Sequence, residues 1–372
     1  MVDLTLKTGR GISYSQLYEG DIPNVESLIE NVPSKTAIAF VSYIIFRMDF
    51  RRIGKYGREE DEFSIIAPVI MQTDEEMKRR FYNFTGGHVN PIDQYINRYA
   101  FLQLIDSLLS HHNNENRALT TDDYTNLLKA YLVFCERYLD FTTGAIMNMT
   151  FTAEDMLNYY LPVQLLTNDI ECPQNIALEL IKSKKFFVDF PKQDKVFAHY
   201  FALFLKYKGL KDVSDYTGCV FQPALMLEVN DLRTNEIGFG PDNSMFNTFM
   251  DNICVDTNNY QPDEHLNSLR ERPVYKLEEG KYAILSMKFF ISKLFGGVLF
   301  DMADALTEIH EFDDRVKAYN TLKQRKGEVF SEQFLLYGLL HDILGKRFPV
   351  QIEGQAMHDK IGSGEPDYYT KK

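Results

Sequence analysis

Residues 328–372 read EVFSEQFLLYGLLHDILGKRFPVQIEGQAMHDKIGSGEPDYYTKK. The fold that we expect follows mainly from this stretch. The apolar side chains at the start of this stretch predict a helix that is apolar nearly all round, and such a helix is expected to be buried against a sheet. Gly345 suits the end of the helix, and Pro349 prevents its extension. A strand at Phe348–Ile352 and a glycine-rich turn into Pro366-Asp367 follow. The stretch therefore predicts helix, strand and turn in succession.

This succession resembles the opening of the core of the PD-(D/E)XK nucleases. In that family a helix bearing a glutamate precedes a β-hairpin, an aspartate follows a proline in the hairpin, and an acidic-x-Lys motif lies on the next strand. The resemblance covers residues 326–372, where Glu332 matches the helix glutamate and Asp367 matches the motif aspartate. It implies a partial α/β core of the restriction-endonuclease-like kind.

The resemblance also implies a chemistry. The carboxylates of Glu332 and Asp367 would be the catalytic residues and the ligands of Mg²⁺ or Mn²⁺, which prefer oxygen ligands. The bound ion would activate a water and stabilise charge on the phosphate, and a lysine would position that water. No acidic-x-Lys pair follows Asp367. We therefore expect a core that is cut short before this motif, and a chain that does not cleave nucleic acid alone. The same tail is also compatible with a structural hairpin that closes a helical domain.

The rest of the chain reads as a predominantly α-helical protein with one small β-hairpin. Capping-box patterns at Thr73-x-x-Glu76, Thr120-x-x-Asp123 and Thr152-x-x-Asp155 precede apolar residues at helical spacing. Residues 212–262 are expected to be less regular. A hairpin is predicted near Tyr275–Leu285, with Gly280 in its turn.

These patterns suggest three segments. Residues 1–270 form an acidic, all-helical module, residues 271–325 link it through the hairpin and further helices, and residues 326–372 form the partial nuclease-like core. The length of 372 residues suits two or three domains.

Charge argues against a general nucleic-acid binder, because the net charge is −13 and phosphate contacts need clustered Lys and Arg. The strongest local basic bias lies between residues 182 and 211, where eight lysines face two aspartates. Five of these lysines are candidate contacts to nucleic acid: Lys182, Lys184, Lys185, Lys206 and Lys208. The alternative interpretation is that Phe197, Phe201, Phe204 and Leu205 form a buried stripe while the lysines are only solvated.

The compartment is expected to be cytoplasmic. The N-terminus has no secretory signal, and four cysteines without C-x-x-C spacing are expected to be free thiols. The apolar run Ala37–Phe46 is too short to span a bilayer, so we expect no membrane association. The histidines lack the second ligand of an H-E-x-x-H zinc site, and no cofactor other than a divalent ion is expected.

Two functions follow from the sequence. The first is a helical module joined to an incomplete PD-(D/E)XK-like nuclease domain, which would contact nucleic acid through its C-terminal segment. The second is a non-enzymatic helical scaffold whose body binds another protein.

Overall fold

The computed structural model describes residues 12–49, 58–86, 96–147, 176–229, 234–263, 266–327, 329–330, 350–353 and 368–371. Contacts divide the chain into two units, each built from two stretches. The first unit takes Met1–Gln174 with Gln222–Phe290, and the second takes Asn175–Phe221 with Ile291–Lys372. The three-segment division suggested by the sequence remains a prediction.

The chain is predominantly helical, as predicted. Its described α-helices are α1 (Tyr14–Leu17), α2 (Val25–Ile29), α3 (Ser34–Asp49), α4 (Arg58–Ile70), α5 (Glu75–Thr85), α6 (Arg98–Ser110), α7 (Thr121–Met147), α8 (Ile176–Lys184), α9 (Lys195–Tyr207), α10 (Val213–Val229), α11 (Ser244–Asn252), α12 (Asn267–Glu271), α13 (Met287–Ser292), α14 (Val298–Glu308) and α15 (Arg315–Gln324). A π-helical turn (Lys185–Asp189) and a 3₁₀ turn (Phe190–Lys192) join α8 to the loop before α9.

The core of the first unit lies among α3, α6 and α7, whose apolar faces are buried against one another. Phe101 of α6 stacks on Tyr131 of α7 with ring centroids 4.0 Å apart. The Tyr131 hydroxyl accepts a hydrogen bond from the backbone N–H of Asn97 (2.8 Å), and Asn97 itself caps α6. The polar groups of Asn97 and Tyr131 therefore have hydrogen-bond partners inside this apolar core.

The predicted hairpin is confirmed, and it belongs to a three-stranded antiparallel sheet in the order β1-β3-β2. Its strands are β1 (Glu236–Gly238), β2 (Val274–Glu278) and β3 (Lys281–Ile284). Gly280 turns the chain with φ +71°, in the left-handed region that favours glycine. The side chain of Asn235 ties the sheet to α3 by donating to Ser42 Oγ at 2.7 Å and to the Ile284 carbonyl at 3.1 Å.

The core of the second unit is a cluster of phenylalanine rings. Phe197, Phe201 and Phe204 form a buried stripe on α9, whereas Leu205, which was expected in the same stripe, is only partly buried. Phe186 of the π-helical turn lies 4.6 Å from Phe197, measured between ring centroids. Phe330 is also fully buried, with its ring 5.0 Å from that of Phe186. Phe330, near the start of the stretch 328–372, is therefore part of this core.

Residues 212–262 are more regular than predicted. They contain α10, β1 and α11, so residues 1–270 are not all helical. The pattern of α10 is masked by Gly218 and by Pro223 inside the helix, both of which normally argue against helix. Strand β1 has only three residues and carries too little periodicity to be recognised.

Of the three predicted capping boxes, the one at Thr120 is confirmed, the one at Thr73 is replaced by a single cap one residue later, and the one at Thr152 lies outside the described residues. Thr120 and Asp123 bond reciprocally at the start of α7, with Thr120 N–H donating to Asp123 Oδ2 at 2.7 Å and Asp123 N–H donating to Thr120 Oγ1 at 3.3 Å. At α5 the cap is Asp74, which accepts from Met77 N–H at 2.7 Å. The hydroxyl of Thr73 instead donates back to the Ile70 carbonyl.

Among the described residues, no helix is both long enough and apolar enough to cross a membrane. Cys135, Cys219 and Cys254 are buried free thiols, and Cys172 lies outside the described residues. Burial raises the pKa of Cys219 to about 11 and that of Cys254 to about 12. Both groups are therefore held as thiols, which are poor nucleophiles.

Candidate functional site

The tail contains a β-hairpin. Strand β4 (Val350–Glu353) pairs antiparallel with strand β5 (Tyr368–Lys371), with Val350 opposite Lys371 and Glu353 opposite Tyr368. The predicted strand at Phe348–Ile352 thus overlaps β4. Asp367 immediately precedes the first residue of β5.

The two candidate catalytic residues, Glu332 and Asp367, lie outside the described residues. The predicted Mg²⁺ or Mn²⁺ site, which depends on both, remains a prediction. In the parts of the chain that the structure describes, no three His, Cys, Asp or Glu side chains come together so as to hold a metal ion. The hairpin therefore supplies the backbone context of Asp367 but not the geometry of its carboxylate.

Phe330, two residues before Glu332 in the sequence, is fully buried. Its ring contacts the rings of Phe186, Phe190 and Phe295, with centroids 5.0, 5.3 and 5.6 Å away. Phe330 therefore belongs to the phenylalanine core of the second unit, whereas Glu332 lies outside the described residues.

The five candidate lysines lie on or beside α8 and α9, in the second unit. Lys182 pairs with Glu179 at 2.7 Å, and Lys185 pairs with Asp189 at 3.0 Å. Lys184 and Lys206 are exposed, and no carboxylate of the described chain lies within ion-pair distance of either. The amino group of Lys208 lies over the Tyr207 ring, 5.6 Å from its centroid. The five lysines are therefore not equivalent, because neighbouring acids partly neutralise the charges of Lys182 and Lys185 but not those of Lys184 and Lys206 within the described residues.

A cleft of about 400 Å³ in the first unit was not anticipated from the sequence. It lies between α11 and the β2–β3 turn, and Phe239, Asn247, Asp251 and Glu279 are among the residues that line it. Its walls are set by local structure: Gly280 approaches so closely that a Cβ there would lie 2.7 Å from the Phe239 carbonyl oxygen.

Polar side chains meet beside this cleft. Lys276 and Tyr282 are direct partners across β2 and β3. The Lys276 amino group lies 2.9 Å from Asp251 Oδ1 and 2.9 Å from Glu279 Oε2, and the Tyr282 hydroxyl donates to Asp251 Oδ1 at 3.1 Å. The sequence alone could not indicate this cluster of polar side chains, because its members meet only through the register of β2 and β3 and the position of α11.

The electrostatics of this group favour a structural role. Hydrogen bonds to Asp251 and Glu279 raise the pKa of Lys276, so it stays charged. Burial, followed by the bond to Asp251, raises the pKa of Tyr282, so it stays a neutral phenol. Neither group is a base near pH 7, and general base catalysis needs a pKa near the working pH. The ion pair and the hydrogen bond that Lys276 and Tyr282 make with Asp251 hold α11 against the sheet.

A second buried polar group lies in the second unit. The fully buried Lys293 donates from Nζ to Asp301 Oδ1 at 2.8 Å. The Tyr216 hydroxyl lies 3.1 Å from the Lys293 carbonyl oxygen and 3.4 Å from Asp301 Oδ2. Burial, and then the charge of Asp301, raise the pKa of Tyr216 well above its ordinary value. With Lys293 donating to Asp301 and Tyr216 kept neutral, this arrangement is suited to joining α10, α13 and α14.

Comparison with known proteins gives no assignment: no protein-family model, curated protein or solved structure matches this chain.

Proposed function

We propose that residues 326–372 form the opening of a PD-(D/E)XK-like nuclease core, and that the parent activity is metal-dependent cleavage of phosphodiester bonds in nucleic acid. The observation that carries the proposal is the antiparallel pairing of β4 with β5. In the family that the tail resembles, a hairpin follows the glutamate-bearing helix and presents the aspartate of the Pro-Asp pair. Here Asp367 directly precedes β5, and Glu332 precedes β4 by 18 residues.

The donor chemistry suits a hard divalent cation. Glu332 and Asp367 each supply carboxylate oxygens, the ligands that Mg²⁺ and Mn²⁺ take in proteins. When bound, such an ion lowers the pKa of a coordinated water and stabilises negative charge on phosphate. The role of the two side chains is to hold the ion beside the hairpin. The phenylalanine core around Phe330 would anchor the chain that leads into Glu332.

Binding of Mn²⁺ to the full chain tests the proposal, because the electron paramagnetic resonance signal of free Mn²⁺ falls as the ion binds. Asp367→Asn is expected to weaken binding by about 10- to 100-fold, the range seen when even outer partners of metal ligands are removed. The matched control is Glu279→Gln, which also removes one negative charge, from a side chain that is 85% exposed. Equal binding by wild type and Asp367→Asn would contradict the proposal.

Cleavage is assayed in parallel with DNA and RNA in the presence of Mg²⁺ or Mn²⁺. The purified chain is expected not to cut nucleic acid alone, and any cutting that does occur is expected to depend on Asp367 and on the ion. Cutting that survives Asp367→Ala would show that this carboxylate is not part of the site. A chain that binds no ion through the tail would instead favour the non-enzymatic helical scaffold, the alternative function drawn from the sequence.

A further inference from the structure

Charge is divided unequally between the two units. The second unit holds 19 Lys and Arg and 18 Asp and Glu, which gives it a net charge of +1. Because the whole chain has a net charge of −13, the first unit has a net charge of −14. A polyanion would therefore be repelled by the first unit and much less by the second. The second unit is also the one that contains the tail hairpin.

Helix α9 presents a regular exposed face within the second unit. Lys195, His199, Ala202 and Lys206 are all exposed and follow one another at spacings of four, three and four residues. Those spacings place the four residues on one side of an α-helix. The opposite side is fixed inward, because Phe197, Phe201 and Phe204 are buried in the phenylalanine core.

The two lysines of this face have no ion-pair partner among the described residues. No carboxylate there lies within 4 Å of the amino group of Lys195 or Lys206. Asp194, next to Lys195 in the sequence, is engaged in capping the N-terminus of α9. Glu311 lies 3.6 Å from His199 of the same face. Lys195 and Lys206 are therefore the cations of α9 most available to a partner.

We propose that this face of α9, with Lys195 and Lys206 at its ends, binds the phosphate backbone of nucleic acid. Eleven residues of α-helix span about 16 Å, so the two lysines are far enough apart to contact two different phosphates of one duplex. The identity of the polyanion as nucleic acid rests on the function proposed above. The evidence for the face itself is the exposure of its four residues, their helical spacing, and the absence of an acidic partner for its two lysines among the described residues.

The position of α9 relative to the tail supports the assignment. Phe197 of α9 lies 5.2 Å from Phe190, and Phe190 lies 5.3 Å from Phe330, all as distances between ring centroids. A single aromatic core thus connects the helix bearing the two lysines to the chain two residues before Glu332. A strand held on α9 would be held by the same unit that carries the candidate carboxylates.

Fluorescence anisotropy of a labelled DNA duplex of about 20 base pairs tests the proposal in the presence of EDTA, which separates this binding from the ion. The test variant is the full chain with Lys195→Gln and Lys206→Gln. The slope of log K against log salt is expected to become shallower by about 2, since each phosphate contact contributes about 0.9. Affinity is expected to fall about tenfold or more near 0.1 M salt.

The matched control is Lys78→Gln with Lys281→Gln, which changes the net charge equally and alters lysines that already have acidic partners in the first unit. It is expected to bind as wild type does. Lysine and glutamine have similar helix propensities, and circular dichroism checks that each variant is folded.

The proposal is overturned if wild type does not bind the duplex at low salt, if the test variant keeps the wild-type slope, or if the control loses as much affinity. The outcome is independent of the metal site. With EDTA present, Asp367→Asn is expected to bind the duplex normally even though it has lost Mn²⁺ binding.

Discussion

The buried ion pair between Lys293 and Asp301 allows a quantitative prediction about the second unit. Both side chains are almost or fully buried, with 0% and 11% of their surface exposed. Removing two charges from water costs several kcal/mol for each ion, and only the mutual attraction at 2.8 Å and the surrounding hydrogen bonds repay that cost. Removing the charge of one partner is therefore expected to lower the free energy of unfolding far more than removing both charges.

Asp301→Asn leaves the Lys293 ammonium buried beside a neutral amide. The expected loss in free energy of unfolding is about 3–5 kcal/mol, the range measured when one partner of a buried pair is removed. The double variant Lys293→Met, Asp301→Asn removes both charges, and it is expected to be at least about 1 kcal/mol more stable than Asp301→Asn alone. The Tyr216 hydroxyl remains next to the Lys293 backbone carbonyl in both variants.

Urea unfolding followed by far-ultraviolet circular dichroism measures these differences. The exposed pair Lys317–Asp313, with side chains 60% and 94% exposed, supplies the control. Asp313→Asn is expected to leave the unfolding curve unchanged, because exposed pairs contribute little. The reasoning is refuted if Asp301→Asn costs less than about 1 kcal/mol, or if the double variant is less stable than the single variant.

Two further predictions concern the first unit. Burial raises the pKa of Asp106 from 3.8 to about 6, so the folded chain binds more protons than the unfolded chain between about pH 4 and pH 6, and stability should fall as pH rises through that window. Asp106→Asn should flatten this dependence in unfolding curves taken from pH 4 to pH 7, and an unchanged slope would disprove the assignment. Gly280→Ala should destabilise by about 2 kcal/mol or more, because its Cβ would lie 2.7 Å from the Phe239 carbonyl oxygen at φ +71°. Gly209→Ala, at φ +67° with open space around it, should cost only about 1 kcal/mol, and equal losses for the two variants would show that the contact is unimportant.

The sequence predicted those parts of the fold that local rules control. The hairpin at β2 and β3 follows from Gly280 between two strand-like runs, and α7 follows from the Thr120–Asp123 box before apolar residues at helical spacing. The buried stripe on α9 likewise follows from phenylalanines three and four residues apart. In each case neighbouring residues carry the signal.

The sequence could not predict features that depend on distant contacts. Strand β1 exists because Ile237 pairs with Tyr282, a residue 45 positions away. The group formed by Asp251, Lys276 and Tyr282 needs both the strand register and the placement of α11. Asp74 replaced Thr73 as the cap of α5 because both residue types suit that position, and local sequence does not choose between them.

The candidate metal site was predicted from a resemblance to a nuclease family. The structure describes only some residues of the segment 326–372 that carries it. The pairing of β4 and β5 agrees with a strand before the glycine-rich turn and extends the prediction to a hairpin. The ion ligands themselves remain a prediction, since Glu332 and Asp367 lie outside the described residues. The exposed face of α9 could be identified only from the structure, because only burial and ion pairing distinguish Lys195 and Lys206 from the neighbouring lysines.

The central claim is that Glu332 and Asp367 hold one divalent ion together, and Mn²⁺ titration of four proteins tests it most directly. These are the wild type, Glu332→Gln, Asp367→Asn and the double variant, each followed by electron paramagnetic resonance. The account predicts one bound Mn²⁺ in the wild type, its loss in either single variant, and little further loss in the double variant, because both carboxylates serve the same ion. Single variants that each keep the bound ion, or losses that simply add in the double variant, would contradict it.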